Sequence, residues 1–348
     1  KTLTNLTGYP ELLQRFFQTA GADDLLDEVL GVEIARSTSV QPQVVEEEEA
    51  DYVAAPFDCA ASLATLYMQE RTFHHILNQM RRKKNVILQG PPGVGKTFVA
   101  QTLACALMGE RDPGRVQLIQ FHQSYGYEEF IQGLRPTSSG NYVVRDGVFA
   151  SFCQKALEDR RTHVFIIDEI NRGNLSKILG ELMMLIERDK RSERYAMPLA
   201  YSGTEGEPFY VPPNVFILGL MNTADRSLAM VDYALRRRFA FVNLKPEFAS
   251  PKFRADLLER RMAEPLADAL IRELIELNRQ IRDDRLDLGE GFCVGHSYFT
   301  PGSSDTNVDR EWVVEILEYE IRPLLQEYWI ESSEKADQLV DDIIARLP

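Results

Sequence analysis

The sequence predicts an α/β fold: a five-stranded parallel sheet covered by helices on both faces, followed by a helical lid. Three observations carry this expectation. Strand-length apolar runs alternate with helix-period segments five times between residues 57 and 248, the pattern of parallel strands joined by crossover helices. The first run, Val86 to Leu88, opens directly into Gly90-Pro91-Pro92-Gly93-Val94-Gly95-Lys96-Thr97. From Pro251 onward only helical spacing recurs, over 252–263, 265–283, 309–329 and 334–346, with a loop-like stretch at 284–308.

In chain order, residues 1–35 carry helical spacing (Leu12, Leu13, Phe16, Phe17, then Leu25, Leu26, Val29, Leu30). They read as a helical N-terminal segment, the tail of a preceding domain or a small module. Residues 36–56 lose periodicity and include Glu46 to Glu49, so they read as an acidic linker. The α/β domain is expected over 57–248 and the lid over 249–348. Residues 57–82 are helical, with Leu63, Leu66, Phe73, Ile76, Leu77 and Met80 as the buried positions. They are expected to end beside the glycine-rich loop and to flank a nucleotide base there. Helical spacing resumes at Phe98, Leu103, Ala106 and Leu107, before strand Val116 to Phe121. Asn141 to Gly147 reads as a hairpin with its turn near Asp146-Gly147. A helix over Val148 to Asp159, strand His163 to Ile167, a helix over 174–188 and an excursion over 192–213 follow. Strand Val215 to Leu220, helix Ala229 to Arg237 and strand Phe239 to Leu244 complete the unit.

Composition bounds the function. A net charge of −14 over 348 residues argues against a surface coated with nucleic acid, while leaving room for a local basic channel in an oligomer. The densest basic run, Arg81-Arg82-Lys83-Lys84, reads as a solvated helix end, with a DNA contact as the alternative. Four scattered cysteines (Cys59, Cys105, Cys153, Cys293) form no CxxC pair, as expected of a reduced, cytoplasmic protein without a zinc site. No apolar run is long enough to cross a bilayer, and no signal peptide opens the chain. It begins at Lys1 rather than Met, consistent with a longer N-terminal region.

The chemistry is expected to sit at the strand ends. Glycines at 90, 93 and 95 allow a loop whose N–H groups turn inward onto phosphate oxygens. The helix starting near Lys96 points its positive end at the same anion. Gly90, Pro91, Pro92, Gly93, Val94, Gly95, Lys96, Thr97 and Phe98 are therefore the candidate nucleotide-binding set, with Lys96 on the β- and γ-phosphates. Thr97 and Asp168 are the candidate Mg2+ ligands, and Glu169 the candidate base that polarises an attacking water. Asn222, at the end of the fourth strand, can orient that water; its bland reading is a turn cap. Of Arg236-Arg237-Arg238, either Arg236 or Arg237 is a candidate arginine finger for a neighbouring subunit. Asn222 to Asp225 loosely matches the N-x-x-D pattern that reads guanine, but its place after the fourth strand suits the γ-phosphate better. Asp225 and Arg226 then read as loop or subunit contacts. His296 could approach the phosphates from the lid or could be structural. The histidines form no metal cluster, and there is no Ser/His/Asp constellation or nuclease core.

Together, GPPGVGKT, QFHQSYGYEEFIQGLRP, IIDEINRGNLSKILGE, MNTADRSLAMVDYALRRRFAF and GHSYF resemble the AAA+ GTPase subunits of McrBC-type modification-dependent restriction systems. The resemblance covers roughly residues 66–300. It implies an AAA+ P-loop NTPase core with sheet order 5-1-4-3-2, GTP as substrate with Mg2+, and a ring, a homo-hexamer, with active sites between subunits. It also implies DNA translocation through the complex and a separate McrC-like subunit that stimulates hydrolysis and carries the nuclease. Lys96, Thr97, Asp168, Glu169 and Asn222 carry over as site residues. Arg172, Asp225 and Arg226 carry over as site or interface residues, and residues 122–147 and 192–213 as pore-lining segments. Residues 1–56 are too short and too acidic for that family's full methylated-DNA-binding domain. The rival readings are a MoxR-like ATP-dependent protein remodeller and a nucleotide-switched assembly scaffold. GTP-over-ATP competition separates the first rival, and addition of a partner subunit the second.

Overall fold

The computed structural model describes residues 55–202, 207–225, 233–284, 288–302, 305 and 307–348. The helical segment expected over 1–35 and the expected linker up to residue 54 lie outside the described residues, as do Arg226 and the first part of the helix expected from Ala229.

The sheet strands are β1 (Asn85–Gly90), β2 (Val116–Gln120), β3 (His163–Asp168), β4 (Val215–Asn222) and β5 (Ala240–Asn243). All neighbours are parallel and the order is β2-β3-β4-β1-β5, which is 5-1-4-3-2 from the other edge. The central strands are apolar without a break because both faces are covered. Ile87, Phe165, Ile167 and Ile217 pack to one side with α3 (Val148–Glu158). Val86, Leu88, Val164, Ile166 and Leu218 pack to the other with α1 (Glu70–Lys83) and α2 (Lys96–Met108). That split is the two-residue period of a strand.

Parallel strands gather every carboxyl end on one edge. There β1 runs into the glycine-rich loop, β3 into Asp168-Glu169 and β4 into Asn222. The opposite edge collects Arg81–Lys84, Glu187–Arg191 and Arg236–Arg238, which precede β1, β4 and β5. It is held by a buried network. Asn85 Nδ2 donates to the carbonyls of Ile186 (2.9 Å) and Arg238 (3.1 Å), and its Oδ1 accepts from Arg191 Nη2 at 2.5 Å.

The C-terminal helices α4 (Pro251–Glu259), α5 (Glu264–Asp283), α6 (Arg310–Ile316), α7 (Arg322–Tyr328) and α8 (Ser333–Arg346) build a separate apolar core around Phe253, Leu270, Leu274, Leu317 and Val340. A π-helical turn, Leu317–Ile321, interrupts the helix expected over 309–329. Among the described residues no helix is long and apolar enough to cross a membrane.

Several local expectations are corrected. Asp146-Gly147 is not a turn: Tyr142–Asp146 pairs antiparallel with Gln132–Pro136, and the chain reverses between them at Gly140 (φ +82°). Gly147 is instead a close approach, since a β-carbon there would lie 2.4 Å from the Phe130 carbonyl carbon. The helix expected over 174–188 is broken at Gly180 (φ +48°) into Leu175–Leu179 and Leu182–Leu185. Ala55–Pro56, expected in the linker, pairs with Glu110–Arg111. The segment 57–82 is two helices, Cys59–Ala64 and α1, and its basic end lies across the sheet from the glycine-rich loop.

Candidate active site

The loop between β1 and α2 is shaped by close contacts. Gly93 and Gly95 sit at φ +73° and +70°, in the left-handed region open to glycine. A β-carbon at Gly90 would lie 2.5 Å from the Leu244 carbonyl oxygen of the neighbouring strand end. Gly95 caps α2 without a side-chain acceptor, so the first-turn N–H groups face the loop mouth. Lys96 Nζ lies within that mouth and donates to the carbonyls of Gly90 (3.0 Å) and Pro91 (2.9 Å). Desolvation depresses its pKa, opposed by the Glu169 and Asp168 carboxylates. Phe98 is 52% exposed and faces a cavity next to the loop.

At the end of β3, Asp168 Oδ1 accepts from the Glu169 N–H (2.9 Å) and Oδ2 from the Thr97 hydroxyl (3.3 Å). A hydroxyl and a carboxylate converging beside a phosphate-type loop suit a hard cation that takes oxygen ligands and keeps waters. No group of three or more His, Cys, Asp or Glu side chains able to share a metal occurs among the described residues. Glu169 adopts φ +49°, ψ +43°, a strained conformation for a residue with a β-carbon. Its Oε2 is buried and has no hydrogen bond among the described residues. Arg172 Nε stands 3.3 Å away as an ion pair, outside hydrogen-bond alignment, and Arg172 Nη2 is 3.4 Å from Asp225. Asn222 Oδ1 accepts from the Ala224 N–H (3.3 Å), the turn-capping contact. Asn171, which sequence reasoning did not single out, donates to the Asn222 carbonyl (3.4 Å) and keeps a buried Oδ1 with no partner among the described residues. Pro92, Arg172, Asn222 and Asp225 line one side of a cavity of about 620 Å3, and Tyr328 and Trp329 of the lid line the other.

The lid grips the loop by backbone. Ser297 N–H donates to the Gly93 carbonyl (2.8 Å), and Gly295 stacks directly on Gly93. His296 is buried; its Nδ1 accepts from the Glu247 N–H (3.1 Å), and a β-carbon at Gly95 would lie 3.9 Å from Nε2. Burial pushes the His296 pKa down to about 4, so the ring is neutral near pH 7 and, with Nδ1 accepting, carries its proton on Nε2. A second cavity, about 890 Å3, opens beside the loop between Tyr67, Thr72, Phe98, Asp256 and His296. Its size falls in the range of small-molecule sites, roughly 300–1,000 Å3. Tyr67 donates to Asp256 (2.5 Å) across 189 residues of sequence, so no local pattern marks that pair. Here it is the approach to α1, with Tyr67, and the first turn of α1, with Thr72, that border the cavity beside the loop.

The arginines lie elsewhere. Arg236 is exposed over the Phe241 ring (5.5 Å). Arg237 is exposed, with its carbonyl held by Lys83 Nζ (2.7 Å). Arg238 pairs with Glu187 (2.9 Å). All three sit at the edge opposite this chain's own loop, roughly one strand length or 15–20 Å away. The structure therefore gathers Gly90 through Phe98, Asp168, Glu169, Asn222, Asp225 and His296 at one edge, and leaves Arg236 and Arg237 outside it.

Residues 85–239 match the AAA domain family (dynein-related subfamily), and residues 269–337 match the McrB alpha-helical lid domain. The chain is 50% identical over 285 residues to the type IV methyl-directed restriction enzyme EcoKMcrB subunit of Escherichia coli (strain K12), covering 81% of this chain and 62% of that protein. It is 29% identical over 199 residues to the type II restriction enzyme BsuMI component YdiS of Bacillus subtilis (strain 168), covering 47% of this chain and 58% of that protein. The chain thus spans less than two thirds of either relative's length. With a parallel P-loop sheet in AAA order and a lid that grips the phosphate loop, this chain carries an McrB-type AAA domain followed by an McrB lid domain.

Proposed function

We propose that this chain is the GTP-hydrolysing motor subunit of a McrBC-like restriction complex. It works in the cytoplasm as a ring, a homo-hexamer, that moves DNA towards cleavage by a McrC-like nuclease partner. The observation that supports this most is the convergence at one sheet edge of Lys96, the Thr97–Asp168 pair and the buried Glu169 oxygen that lacks a hydrogen bond.

In this reading Lys96 exchanges the Gly90 and Pro91 carbonyls for β- and γ-phosphate oxygens, a stronger charge-assisted contact. Gly93, Val94, Gly95 and the open end of α2 supply N–H donors to the same phosphates. Thr97 and Asp168 hold Mg2+, which when bound neutralises charge on the phosphates. Glu169 accepts the proton of the attacking water, and its unbonded Oε2 is the lone pair available for that step. Asn222 positions the water once its amide leaves the Ala224 N–H. Arg172 links Glu169 to Asp225 and so sets the carboxylate's orientation. The base and ribose occupy the 890 Å3 cavity beneath Phe98 and His296.

No finger serves its own site, because Arg236 and Arg237 stand at the opposite edge. Arg237, exposed and with no ring stacked on it among the described residues, is the better candidate than Arg236, which rests on Phe241. The test is subunit mixing. Glu169→Gln subunits should bind nucleotide without turnover, Arg237→Ala subunits should turn over slowly, and mixtures should recover activity. Absence of recovery at every ratio would count against a site shared between copies.

A further inference from the structure

We propose that Asp256 reads the base of the nucleotide, accepting the N1–H and 2-amino hydrogens that guanine offers and adenine lacks, and that Tyr67 is the positioning residue that holds the carboxylate for this. The inference rests on the reading above, in which base and ribose fill the 890 Å3 cavity. It deepens that reading from a preference for GTP to the residue that sets the preference.

The sequence offers a different guanine reader, and the fold removes it. Asp225, the acid of the N-x-x-D pattern, lines the 620 Å3 cavity with Pro92 and Arg172, whereas Val94, Gly95 and Phe98 line the other one. The Asp225 carboxylate stands 3.4 Å from Arg172 Nη2. Three carboxylates line the cavity assigned to the base: Glu247, Asp256 and Glu259. Burial disfavours the charged form of Glu247 and raises its pKa. Glu259 is exposed at the end of α4. Asp256 is half-buried and fixed, because the Tyr67 hydroxyl donates to its Oδ2 at 2.5 Å. Tyr67 is itself held: its ring stands edge-on to Phe253 at 5.3 Å and to His296 at 5.1 Å. Burial, and then the bond to Asp256, raises the Tyr67 pKa, so the phenol keeps its proton and stays the donor.

A carboxylate has about four lone-pair directions, and Tyr67 takes one of them. Asp256 Oδ1 has no hydrogen bond among the described residues. Guanine presents two adjacent donors, N1–H and the 2-amino group, and a carboxylate accepts both. Adenine presents a lone pair at N1 and no 2-amino group. A fixed carboxylate therefore attracts one base and repels the other, which discriminates from both sides. Asp256 stands on α4 of the lid and Tyr67 just before α1, so the reader is in place only when the lid is docked.

The test is equilibrium binding of GDP, IDP, XDP and ADP, each with Mg2+, to the full chain and to its Asp256→Asn and Tyr67→Phe variants. The diphosphates carry the base and leave no γ-phosphate to hydrolyse. Hypoxanthine lacks the 2-amino group, and xanthine carries a carbonyl in its place. The wild-type chain should bind GDP about tenfold more tightly than IDP, and ADP more weakly still. Asp256→Asn exchanges an acceptor for a donor, so it should lose about tenfold for GDP and gain about tenfold for XDP. A packing defect in the lid cannot produce that gain. Tyr67→Phe keeps the ring and should narrow the GDP-to-ADP ratio by about threefold. Equal losses for all four diphosphates in Asp256→Asn would assign the carboxylate to the ribose or to lid docking and overturn the proposal. The wild-type order of preference kept in Asp256→Asn would also overturn it, and would leave the GTP reading standing. A wild-type chain with no preference for GDP over ADP would overturn the GTP reading and this inference with it.

Discussion

Replacing Gly295 by alanine drives a methyl group into the phosphate loop. A β-carbon at Gly295 would lie 1.9 Å from the Gly93 carbonyl carbon, 2.1 Å from its oxygen and 2.4 Å from the Pro92 oxygen. Ordinary carbon contacts begin near about 3.5 Å, so the two backbones must part by roughly 1.5 Å. That separation also stretches the 2.8 Å bond from Ser297 N–H to the Gly93 carbonyl beyond hydrogen-bonding range. Overpacking costs about 1–3 kcal/mol and the lost hydrogen bond about 1 kcal/mol. Against a docked lid the sum is about 2–4 kcal/mol, or roughly a 30- to 700-fold drop in the docked population. The lid supplies His296 and Asp256 to the cavity proposed for base and ribose, so on that reading affinity should fall with that population. Isothermal calorimetry with a non-hydrolysable GTP analogue should show weakening of about tenfold or more, since backbone relaxation recovers part of the cost. Gly114→Ala is the control, because its β-carbon meets only the flexible Asp112 carboxylate, at 3.3 Å. Wild-type affinity and an unchanged melting temperature in Gly295→Ala would refute the backbone grip.

Lys96→Ala should abolish nucleotide binding in a fluorescent-nucleotide titration, and undiminished binding would remove this loop from the site. His296→Asn tests the buried ring. Its folded pKa of about 4 lies below the unfolded value of 6.5, so the unfolded chain binds the extra proton as pH falls. Wild-type stability should therefore drop between pH 6.5 and 4 by on the order of 3 kcal/mol from this group, and level off below. Urea unfolding of His296→Asn should show a shallower fall over that window, and an identical slope would contradict the assignment. Asn85→Leu should cost roughly 2–4 kcal/mol, because it strips partners from Ile186, Arg238 and the buried Arg191 guanidinium together. A loss under about 0.5 kcal/mol by the same assay would mean that the network is dispensable.

What the sequence made legible is local. β1, β3 and β4 are buried on both faces, so Val86–Leu88, Val164–Ile167 and Val215–Leu220 stand out as unbroken apolar runs. The phosphate loop is a contiguous motif whose glycines and lysine act within a few residues of one another. Asp146-Gly147 misleads for a physical reason: the pair has hairpin chemistry, yet Gly147 is needed where the Phe130 backbone passes. The remaining features depend on distant segments meeting. Gly295 against Gly93, Tyr67 on Asp256, and Arg82 beside Arg188 and Arg237 each join residues that no periodicity links. The pairing of Arg238 with Glu187, which separates it from Arg237, is likewise visible only in the folded chain.

A preference for GTP over ATP separates a restriction motor from an ATP-using relative. Calorimetric titration of the chain with GTP and ATP in parallel, both with Mg2+, tests it most directly. A GTP-using motor should bind GTP at least tenfold more tightly, a difference of about 1.4 kcal/mol. Equal binding, or tighter binding of ATP, would contradict the restriction-motor reading and favour an ATP-dependent remodeller built on the same fold.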